Sequence, residues 1–167
     1  MNAQIHRARP GEWREVRDLR LRALEDAPDA FGSTLERERE ADEARWVEWI
    51  TGWEGAVNAL FAAVADGTWI AMAVGSRTGK ETVAHLYGMW VEPRARRAGL
   101  GARLVEAVLG WARSWSARSV ELNVTESNPE ARSLYRACGF VETGERRPLR
   151  EGSALVVVVM RYPLEDR

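Results

Sequence analysis

Apolar and polar residues alternate in several short segments of the chain, and this pattern predicts β-strands. A period of two places successive side chains on opposite faces of a sheet, so such segments become half-buried strands. The turn signals Asp66-Gly67-Thr68 and Thr78-Gly79-Lys80 separate three of these segments and indicate an antiparallel meander. The predicted strands cover residues 3–9, 56–66, 69–77, 82–91, 119–124, 140–146 and 153–163.

Apolar residues recur at three- and four-residue spacing in four other segments, which predicts helices. Ser33-x-x-Glu36 has the capping-box pattern expected at the start of the second one. Asn128-Pro129-Glu130 is a strong start for the fourth, because an asparagine cap, an early proline and an acidic first turn all favour a helix N-terminus. The predicted helices cover residues 10–25, 33–53, 99–115 and 128–138, and the second is expected to turn Trp46, Trp49, Ile50 and Trp53 inward.

The order of these elements predicts a mixed α/β fold in a single domain, residues 1–167. The sheet should be largely antiparallel with one parallel central pair of strands. The reason is the strand-helix-strand unit over residues 82–124, whose length implies a right-handed parallel crossover. Helices are expected on both faces of the sheet.

Charge and composition argue against several classes of protein. The formal net charge of −1 over 167 residues argues against a surface that binds nucleic acid throughout. No apolar run approaches the ~20 residues of a membrane span, and the charged N-terminal segment does not resemble a secretory signal. Cys138 is the only cysteine, which excludes an internal disulfide and suits a reducing compartment. We therefore expect a cytoplasmic protein without nucleic-acid or membrane partners.

Positive charge is concentrated in the stretch VEPRARRAGLGARLVEAVL, residues 91–109. Its arginines surround the start of a predicted helix that opens with Gly99-Leu100-Gly101. A helix N-terminus leaves backbone N–H groups unpaired and carries partial positive charge, while glycine lets a ligand approach the backbone closely. The stretch favours a site for phosphate or pyrophosphate. The alternative is close packing of the helix on the sheet, with solvated arginines.

Two common phosphate-binding loops do not fit this stretch. A Walker loop requires Gly-Lys-Ser/Thr, whereas Gly101 is followed by Ala102-Arg103. A dinucleotide-binding loop requires a small residue at position 104, where Leu104 stands. Glu121 has the spacing of the ribose partner but lies inside a predicted strand.

Two motifs resemble those of the GNAT N-acetyltransferase superfamily. Residues 96–101, Arg-Arg-Ala-Gly-Leu-Gly, match the signature Arg/Gln-x-x-Gly-x-Gly/Ala. Residues 128–140, NPEARSLYRACGF, match every fixed position of the second motif, Asn-x-x-Ala-x-x-Leu-Tyr-x-x-x-Gly-Phe. Both stand in the right order with a strand between them, and the element order fits over essentially the whole chain. The resemblance implies the GNAT-like acyl-CoA N-acyltransferase fold, acetyl-CoA as cosubstrate, a primary amine as acceptor and no metal.

The resemblance also implies where acetyl-CoA is held. The backbone around Arg97–Ala102 would wrap the diphosphate, and the main chain of Met89–Val91 would pair with the pantetheine arm like an added strand. Asn128 would contact the arm from the other side, and Tyr135 would stand near the thioester sulfur. The implied cofactor-binding residues are Met89, Trp90, Val91, Arg96, Arg97, Ala98, Gly99, Leu100, Gly101, Ala102, Asn128 and Tyr135.

The implied reaction, direct attack of the amine through a tetrahedral intermediate, makes three chemical demands. An alkyl amine has a pKa of ~10.4, so a group must take its proton. The oxyanion needs fixed donors, which backbone N–H groups at the end of the fourth strand can supply. The leaving thiolate benefits from a hydrogen bond, for which Tyr135 is the candidate.

Full proton transfer from a phenol of pKa ~10 to a thiolate of pKa ~8.5 is uphill by roughly 2 kcal/mol, which favours a hydrogen bond over transfer. The alternative is that Tyr135 is a core residue.

The general base is less clear, because no carboxylate lies inside the fourth strand. His85 lies inside it and has an intrinsic pKa near ~6.5, which makes it the candidate base. Deprotonation of the amine by another group through water is the alternative. The period-two rule predicts that His85 shares its strand face with Val83, Tyr87 and Met89.

The acceptor stays open between a small polyamine, an amino acid or antibiotic, and a protein amine. In this family it is usually bound by the first helix-turn-helix, here residues 25–34, and by the loop between the last two strands, here residues 143–153. The first segment is acidic (Glu25, Asp26, Asp29) and the second basic (Arg146, Arg147, Arg150). These charges favour a cationic amine and a carboxylate respectively, and solvated loops are the alternative for each. A homodimer is a further expectation, and a non-catalytic acetyl-CoA-binding module is the alternative to an enzyme.

Overall fold

The computed structural model describes residues 2–52, 55–78 and 82–164. Seven strands and five helices lie in these ranges, with short 3-10 turns between some of them. The strands are β1 (Gln4–Arg7), β2 (Ala56–Ala65), β3 (Thr68–Thr78), β4 (Val83–Val91), β5 (Ser119–Thr125), β6 (Val141–Pro148) and β7 (Val156–Pro163). The helices are α1 (Trp13–Asp26), α2 (Leu35–Arg39), α3 (Glu43–Thr51), α4 (Leu100–Ser114) and α5 (Pro129–Ala137).

The strands form one sheet in the order β1-β2-β3-β4-β5-β7-β6. Neighbouring strands are antiparallel except β4 and β5, which are parallel and are connected through α4. The predicted mixed sheet with a parallel central pair is confirmed. Arg146 and Arg147 lie in β6 rather than in the loop after it, because β6 continues to Pro148.

Helices cover both faces of the sheet, as predicted. The apolar stripe of α4, with Leu104 and Val108, packs on one face against Leu86 and Leu122. On the other face, Leu19 of α1 and Ile50 of α3 belong to two adjacent clusters of buried residues. This double cover explains why the central strands are buried on both sides.

The prediction of one helix over residues 33–53 is wrong, because the structure contains two shorter helices. Thr34, rather than Ser33, caps α2 by accepting a hydrogen bond from the backbone N–H of Arg37 over 3.4 Å. Asp42 caps α3 by accepting from the N–H of Arg45 over 2.9 Å. An aspartate side chain that bonds to the backbone in this way ends one helix and starts the next, while the apolar spacing continues across the break.

The inward side of this segment is predicted correctly. Trp46 and Ile50 are buried and Trp49 is half-buried. Trp53, and Gly79 and Lys80 of a predicted turn, lie outside the described residues.

Strand β4 contains a bulge, in which Gly88 and Met89 lie opposite the single residue Ala73 of β3. Gly88 has a φ of 64°, a left-handed conformation that glycine adopts without strain. The extra residue exchanges the two faces of the strand. Tyr87 packs with the cluster under α1 and α3, whereas Met89 packs with the cluster under α4. The prediction that Met89 shares a face with His85 and Tyr87 is therefore wrong.

The ladder between β4 and β5 is short. It extends from Val83 paired with Ser119 to Leu86 paired with Leu122, four pairs in all, while both strands continue further. The strands separate beyond Leu86, and a gap opens in the middle of the sheet.

Two absences hold for the described part of the chain. No helix within residues 2–52, 55–78 and 82–164 combines the length and the apolar character needed to cross a membrane. Within the same ranges, no three side chains of His, Cys, Asp or Glu are grouped so as to hold a metal ion.

Candidate active site

Two cavities meet at the gap between β4 and β5. The first, here called the α4 cavity, has a volume of about 620 Å³ and lies at the N-terminus of α4. The second, the strand cavity, has a volume of about 340 Å³ and lies between the separated strands. The residues that line both include Met89, Asn128, Ala131 and Leu134, so the two cavities adjoin.

The structure brings most of the predicted cofactor-binding residues to the α4 cavity. The residues that line it include Met89, Trp90, Val91, Arg96, Arg97, Gly99, Leu100, Gly101, Ala102 and Asn128. Ala98 is an exposed residue of the same loop and is not part of the lining. Tyr135 and His85 both line the strand cavity.

The backbone before α4 has the geometry of an anion site. The N–H of Arg103 donates to the carbonyl of Gly99 over 3.2 Å, so the amides before it lie outside the helical ladder. Arg97 and Gly99 have φ values of 64° and 75°. Left-handed residues alternating with other conformations form the concave backbone arrangement called a nest, which binds anions through successive N–H groups.

The two glycines of this stretch do different work. A Cβ at Gly99 would meet no atom within 4 Å, so glycine is needed there for the left-handed backbone. A Cβ at Gly101 would lie 2.8 Å from Cδ2 of Leu134, so glycine is needed there for the contact between α4 and α5. The contact at Gly101 is therefore between two helices, rather than between the helix and the sheet as the alternative from the sequence expected.

Arg96 holds the loop before α4 in place. Its Nη2 donates to Oδ2 of Asp26 over 2.5 Å, and its Nε donates to the carbonyl of Val91 over 3.0 Å. The indole N–H of Trp90 donates to the same Asp26 oxygen over 2.9 Å. Asp26 lines the α4 cavity but not the strand cavity, so this residue of the acidic segment belongs to the arginine-rich side of the site.

Tyr135 is a buried residue of α5 and is 6% exposed. Its ring packs edge-on against Phe140 at 5.9 Å between centroids, and its hydroxyl makes no hydrogen bond with any of the described residues. Burial raises the pKa of Tyr135 above its ordinary value, and the nearby Cys138 adds to the increase. The phenol is therefore neutral and can donate a hydrogen bond across the physiological pH range. Tyr135 belongs to the buried core and also lines the strand cavity.

Asn128 is the N-cap of α5, as predicted. Its Oδ1 accepts a hydrogen bond from the N–H of Ala131 over 3.1 Å. The same residue lines both cavities at their junction.

His85 is half-buried and lies beside Glu121 in the ladder between β4 and β5. Glu121 accepts a hydrogen bond from Nε of Arg161 over 2.9 Å, so its charge is compensated. The structure thus brings His85 and Tyr135 to one cavity, with the bulge of β4 between them in the lining.

Sequence reasoning missed Tyr87, which lines the strand cavity next to the bulge. Its hydroxyl accepts a hydrogen bond from Nδ2 of Asn58 over 3.2 Å. Burial raises the pKa of Tyr87 to about 12, although hydrogen bonds with Trp49 and Asn58 oppose the increase.

Sequence reasoning also missed Arg20, a buried arginine of α1 that lines the strand cavity. Arg20 also lines a third cavity of about 450 Å³ beside α2 and α3, here called the α2 cavity. The signal was present in the sequence, because Arg20 is four residues after Val16 and four before Leu24, on the buried stripe of the helix.

Comparisons with known proteins identify relatives over most of the chain. A family model described as "Acetyltransferase (GNAT) family" matches residues 13–140. An aminoglycoside N(6')-acetyltransferase type 1 of Stenotrophomonas maltophilia is 29% identical over 168 residues, which cover 96% of this chain and 94% of that protein. A protein of the same name from Klebsiella aerogenes is 36% identical over 69 residues, which cover 41% of this chain and 45% of that protein.

Solved structures share the fold at low sequence identity. An acetyltransferase of the GNAT family from Streptococcus pneumoniae superposes with a TM-score of 0.78 at 21% identity, covering 98% of this chain and 100% of that one. The PaiA N-acetyltransferase of Thermoplasma acidophilum, in complex with coenzyme A, gives a TM-score of 0.75 at 16% identity, covering 98% of this chain and 100% of that one.

Proposed function

The chain belongs to the acetyltransferase (GNAT) family of acetyl-CoA-dependent N-acetyltransferases, and from this premise we propose how its residues carry out acetyl transfer. The amine attacks the thioester directly. A C–N bond forms, the C–S bond breaks, the amine loses a proton, and coenzyme A leaves as a thiolate. The observation that carries the proposal is that the cavity beside the amides before α4 adjoins the cavity that Tyr135 lines, at the gap between β4 and β5.

The donor fits the α4 cavity on the evidence of its backbone. The nest at Arg97–Gly99 and the amides that open α4 suit a diphosphate. The main chain of Met89–Val91 lies where β4 has lost β5 as a partner, so its backbone groups suit the amides of a pantetheine arm. When bound, acetyl-CoA supplies the activated acetyl group.

The bulge in β4 and Tyr135 serve the two charges that develop during transfer. The bulge places Gly88 and Met89 in the lining of the strand cavity, where a backbone N–H of this segment would stabilise the oxyanion. Tyr135 donates a hydrogen bond to the departing thiolate. Because its pKa is raised, it stabilises the thiolate without giving up its proton early.

His85 takes the proton of the amine, directly or through water. Its half-buried position in the lining of the strand cavity, which Tyr135 also lines, supports this role. The names of the relatives support a small-molecule amine as the acceptor.

Two measurements test the proposal. Acetyl-CoA and coenzyme A should raise the melting temperature and NAD should not, because a ligand that binds only the folded state stabilises it by mass action. Release of coenzyme A in the presence of a panel of amines should then show turnover. Donor binding without turnover on any amine would instead indicate a non-catalytic acetyl-CoA-binding module, and a thermal shift with NAD alone would contradict the donor site.

A further inference from the structure

Arg20 is a buried charge with unfilled hydrogen-bonding capacity. It is 5% exposed, and its Nε and Nη1 donate to no described residue. Its Nη2 lies 3.7 Å from Oε1 of Glu38, which is longer than a hydrogen bond. A buried guanidinium is destabilising unless its N–H groups are satisfied, so this arrangement points to a partner that the chain itself does not supply.

Arg20 lies between the strand cavity and the α2 cavity and lines both of them. Its guanidinium lies over the rings of Phe31 and Trp49, with its central carbon 4.5 and 5.1 Å from their centroids. Its Nη1 is 3.8 Å from the point that a Cβ on Gly88 would occupy. The cation is therefore held next to the bulge of β4.

The charged residues around this position have an excess of positive charge. The charged residues that line the strand cavity include Arg20, Arg147 and Glu121; Arg147 is paired with Glu145 and Glu121 with Arg161, so Arg20 is the one with unfilled N–H groups among these three. The charged residues that line the α2 cavity are Arg20, Arg37, Arg45, Glu38 and Glu40. An anionic group can accept hydrogen bonds from the unfilled N–H groups of Arg20, whereas a cationic group cannot.

We propose that the acceptor amine carries a carboxylate and that Arg20 binds this carboxylate. The inference rests on the proposed acetyl transfer and names the class of its acceptor. The planar fork of a guanidinium matches a carboxylate, and the contacts with the rings of Phe31 and Trp49 restrict where the fork can lie. The strand cavity of about 340 Å³ is near the lower end of the ~300–1,000 Å³ of small-molecule sites, so the acceptor is compact. Aminoglycosides are polyamines without a carboxylate, so the acceptor differs from the one in the relatives' names.

The first experiment compares matched acceptors. The kcat/KM for release of coenzyme A is measured with L-amino acids, with their carboxamides and with an aminoglycoside. The amine of a carboxamide is less basic and more of it is neutral at pH 7, so a preference for the acid cannot come from amine reactivity. We expect at least a ~10-fold preference for the carboxylates, the effect of one charge-assisted hydrogen bond. Equal rates for acid and amide, or the fastest transfer to the aminoglycoside, would overturn the inference and leave acetyl transfer standing.

Variants assign that preference to Arg20. Arg20→Met preserves the length and the apolar packing of the side chain and should abolish the preference, while Arg20→Lys should keep part of it. Arg14→Met, at an exposed position of the same helix, is the matched control and should behave as the wild type. An unchanged thermal shift with acetyl-CoA shows that each variant is folded. A preference that persists in Arg20→Met would overturn the assignment.

A second readout does not depend on turnover. Butyrate and butyramide are titrated into the protein with coenzyme A present, and the fluorescence of Trp49, which contacts Arg20, is followed. Trp49→Phe identifies its share of the signal. We expect a saturable change with butyrate alone, absent from Arg20→Met, and no such change would overturn the inference. An Arg20-dependent response together with no transfer to any amine would support the carboxylate site and refute the proposed acetyl transfer.

Discussion

Arg96 and Asp26 form a hydrogen-bonded ion pair of 2.5 Å, which ties the loop before α4 to the last residue of α1. The same guanidinium donates to the carbonyl of Val91, the last residue of β4. Arg96 therefore connects its own loop to α1 and to β4, both of which border the α4 cavity. If the α4 cavity binds an anion as proposed, we expect Arg96 to act through the position of this loop as well as through its charge.

Arg96→Ala should weaken the binding of acetyl-CoA by roughly 10-fold, the loss expected when a hydrogen-bonded charge is removed. The melting temperature should change little, because the Arg96 side chain is 41% exposed and ion pairs this accessible contribute ~0–1 kcal/mol. Calorimetric titration measures the affinity. Arg94→Ala is the control, since Arg94 is 89% exposed, pairs with Glu92 and does not line the cavity. Equal losses in the two variants would mean that only the summed charge matters.

Gly99→Ala should destabilise the protein by ~1–2 kcal/mol, because an L-residue is strained at a φ of 75°. It should also weaken acetyl-CoA binding, since the strain is relieved by moving the amides before α4. Gly110→Ala is the matched control at an exposed position inside α4, where a Cβ would contact no other atom. This substitution should raise the free energy of unfolding by ~0.5–1 kcal/mol. Denaturant unfolding gives both values, and a stabilising Gly99→Ala would contradict the nest.

Tyr135→Phe should lower kcat by ~10- to 100-fold, since one hydrogen bond to a developing charge is removed. The affinity for acetyl-CoA and the melting temperature should stay close to wild type, because the hydroxyl has no hydrogen-bond partner within the described ranges. Tyr162→Phe is the control, since that tyrosine lines neither cavity of the gap. Parallel losses of kcat and donor affinity in Tyr135→Phe would indicate a packing role.

His85→Asn should lower kcat by ~10²-fold or more near pH 7, the usual contribution of a general base. The deficit should shrink as the pH approaches the pKa of the acceptor amine, because the amine then loses its proton without help. A pH–rate profile of the variant against wild type measures this. A deficit that is constant across the profile would show that His85 orients other groups rather than accepting the proton.

Glu12 should make the folded state sensitive to acid. Burial alone raises its pKa, but hydrogen bonds from His6 and Arg9 outweigh this and lower the pKa from 4.5 to about 2. A carboxyl with a depressed pKa in the folded state contributes stability above its unfolded pKa, and this is lost as the pH falls from about 4.5 towards 2. The melting temperature of wild type should therefore fall more steeply over this range than that of Glu12→Gln. Glu15→Gln, at an exposed position in α1, is the control and should follow wild type.

The lining of the α4 cavity is predictable from the sequence because many of its residues are local. The glycines and amides that open α4, and the asparagine that caps α5, each lie within a few residues of one another, so a short motif records their geometry. Tyr135 follows in the same way, since it stands at a fixed helical distance from Asn128.

The strand cavity is assembled from distant segments, and no local motif describes it. Arg20, Phe31 and Tyr87 come from three different parts of the chain and meet only in the folded protein.

Two features of the secondary structure also depend on a single residue within a longer pattern. Asp42 divides one apolar repeat into two helices, and Gly88 shifts the faces of β4 in the middle of regular alternation. A glycine inside a strand is a known sign of a bulge, and an arginine on a buried helical stripe is a sign of a special role, so both signals were available.

The four residue pairs between β4 and β5 are the whole seam between two plates of the sheet, β1–β4 on one side and β5–β7–β6 on the other. A molecule that lies in the opening and forms hydrogen bonds with the edge of β4 restricts the motion of the two halves of the sheet relative to each other. Amide hydrogens along the inner edges should then exchange more slowly when acetyl-CoA is present, and faster again after the product leaves. The protein is then more rigid with acetyl-CoA bound than after the product has left, and this change repeats with each turnover.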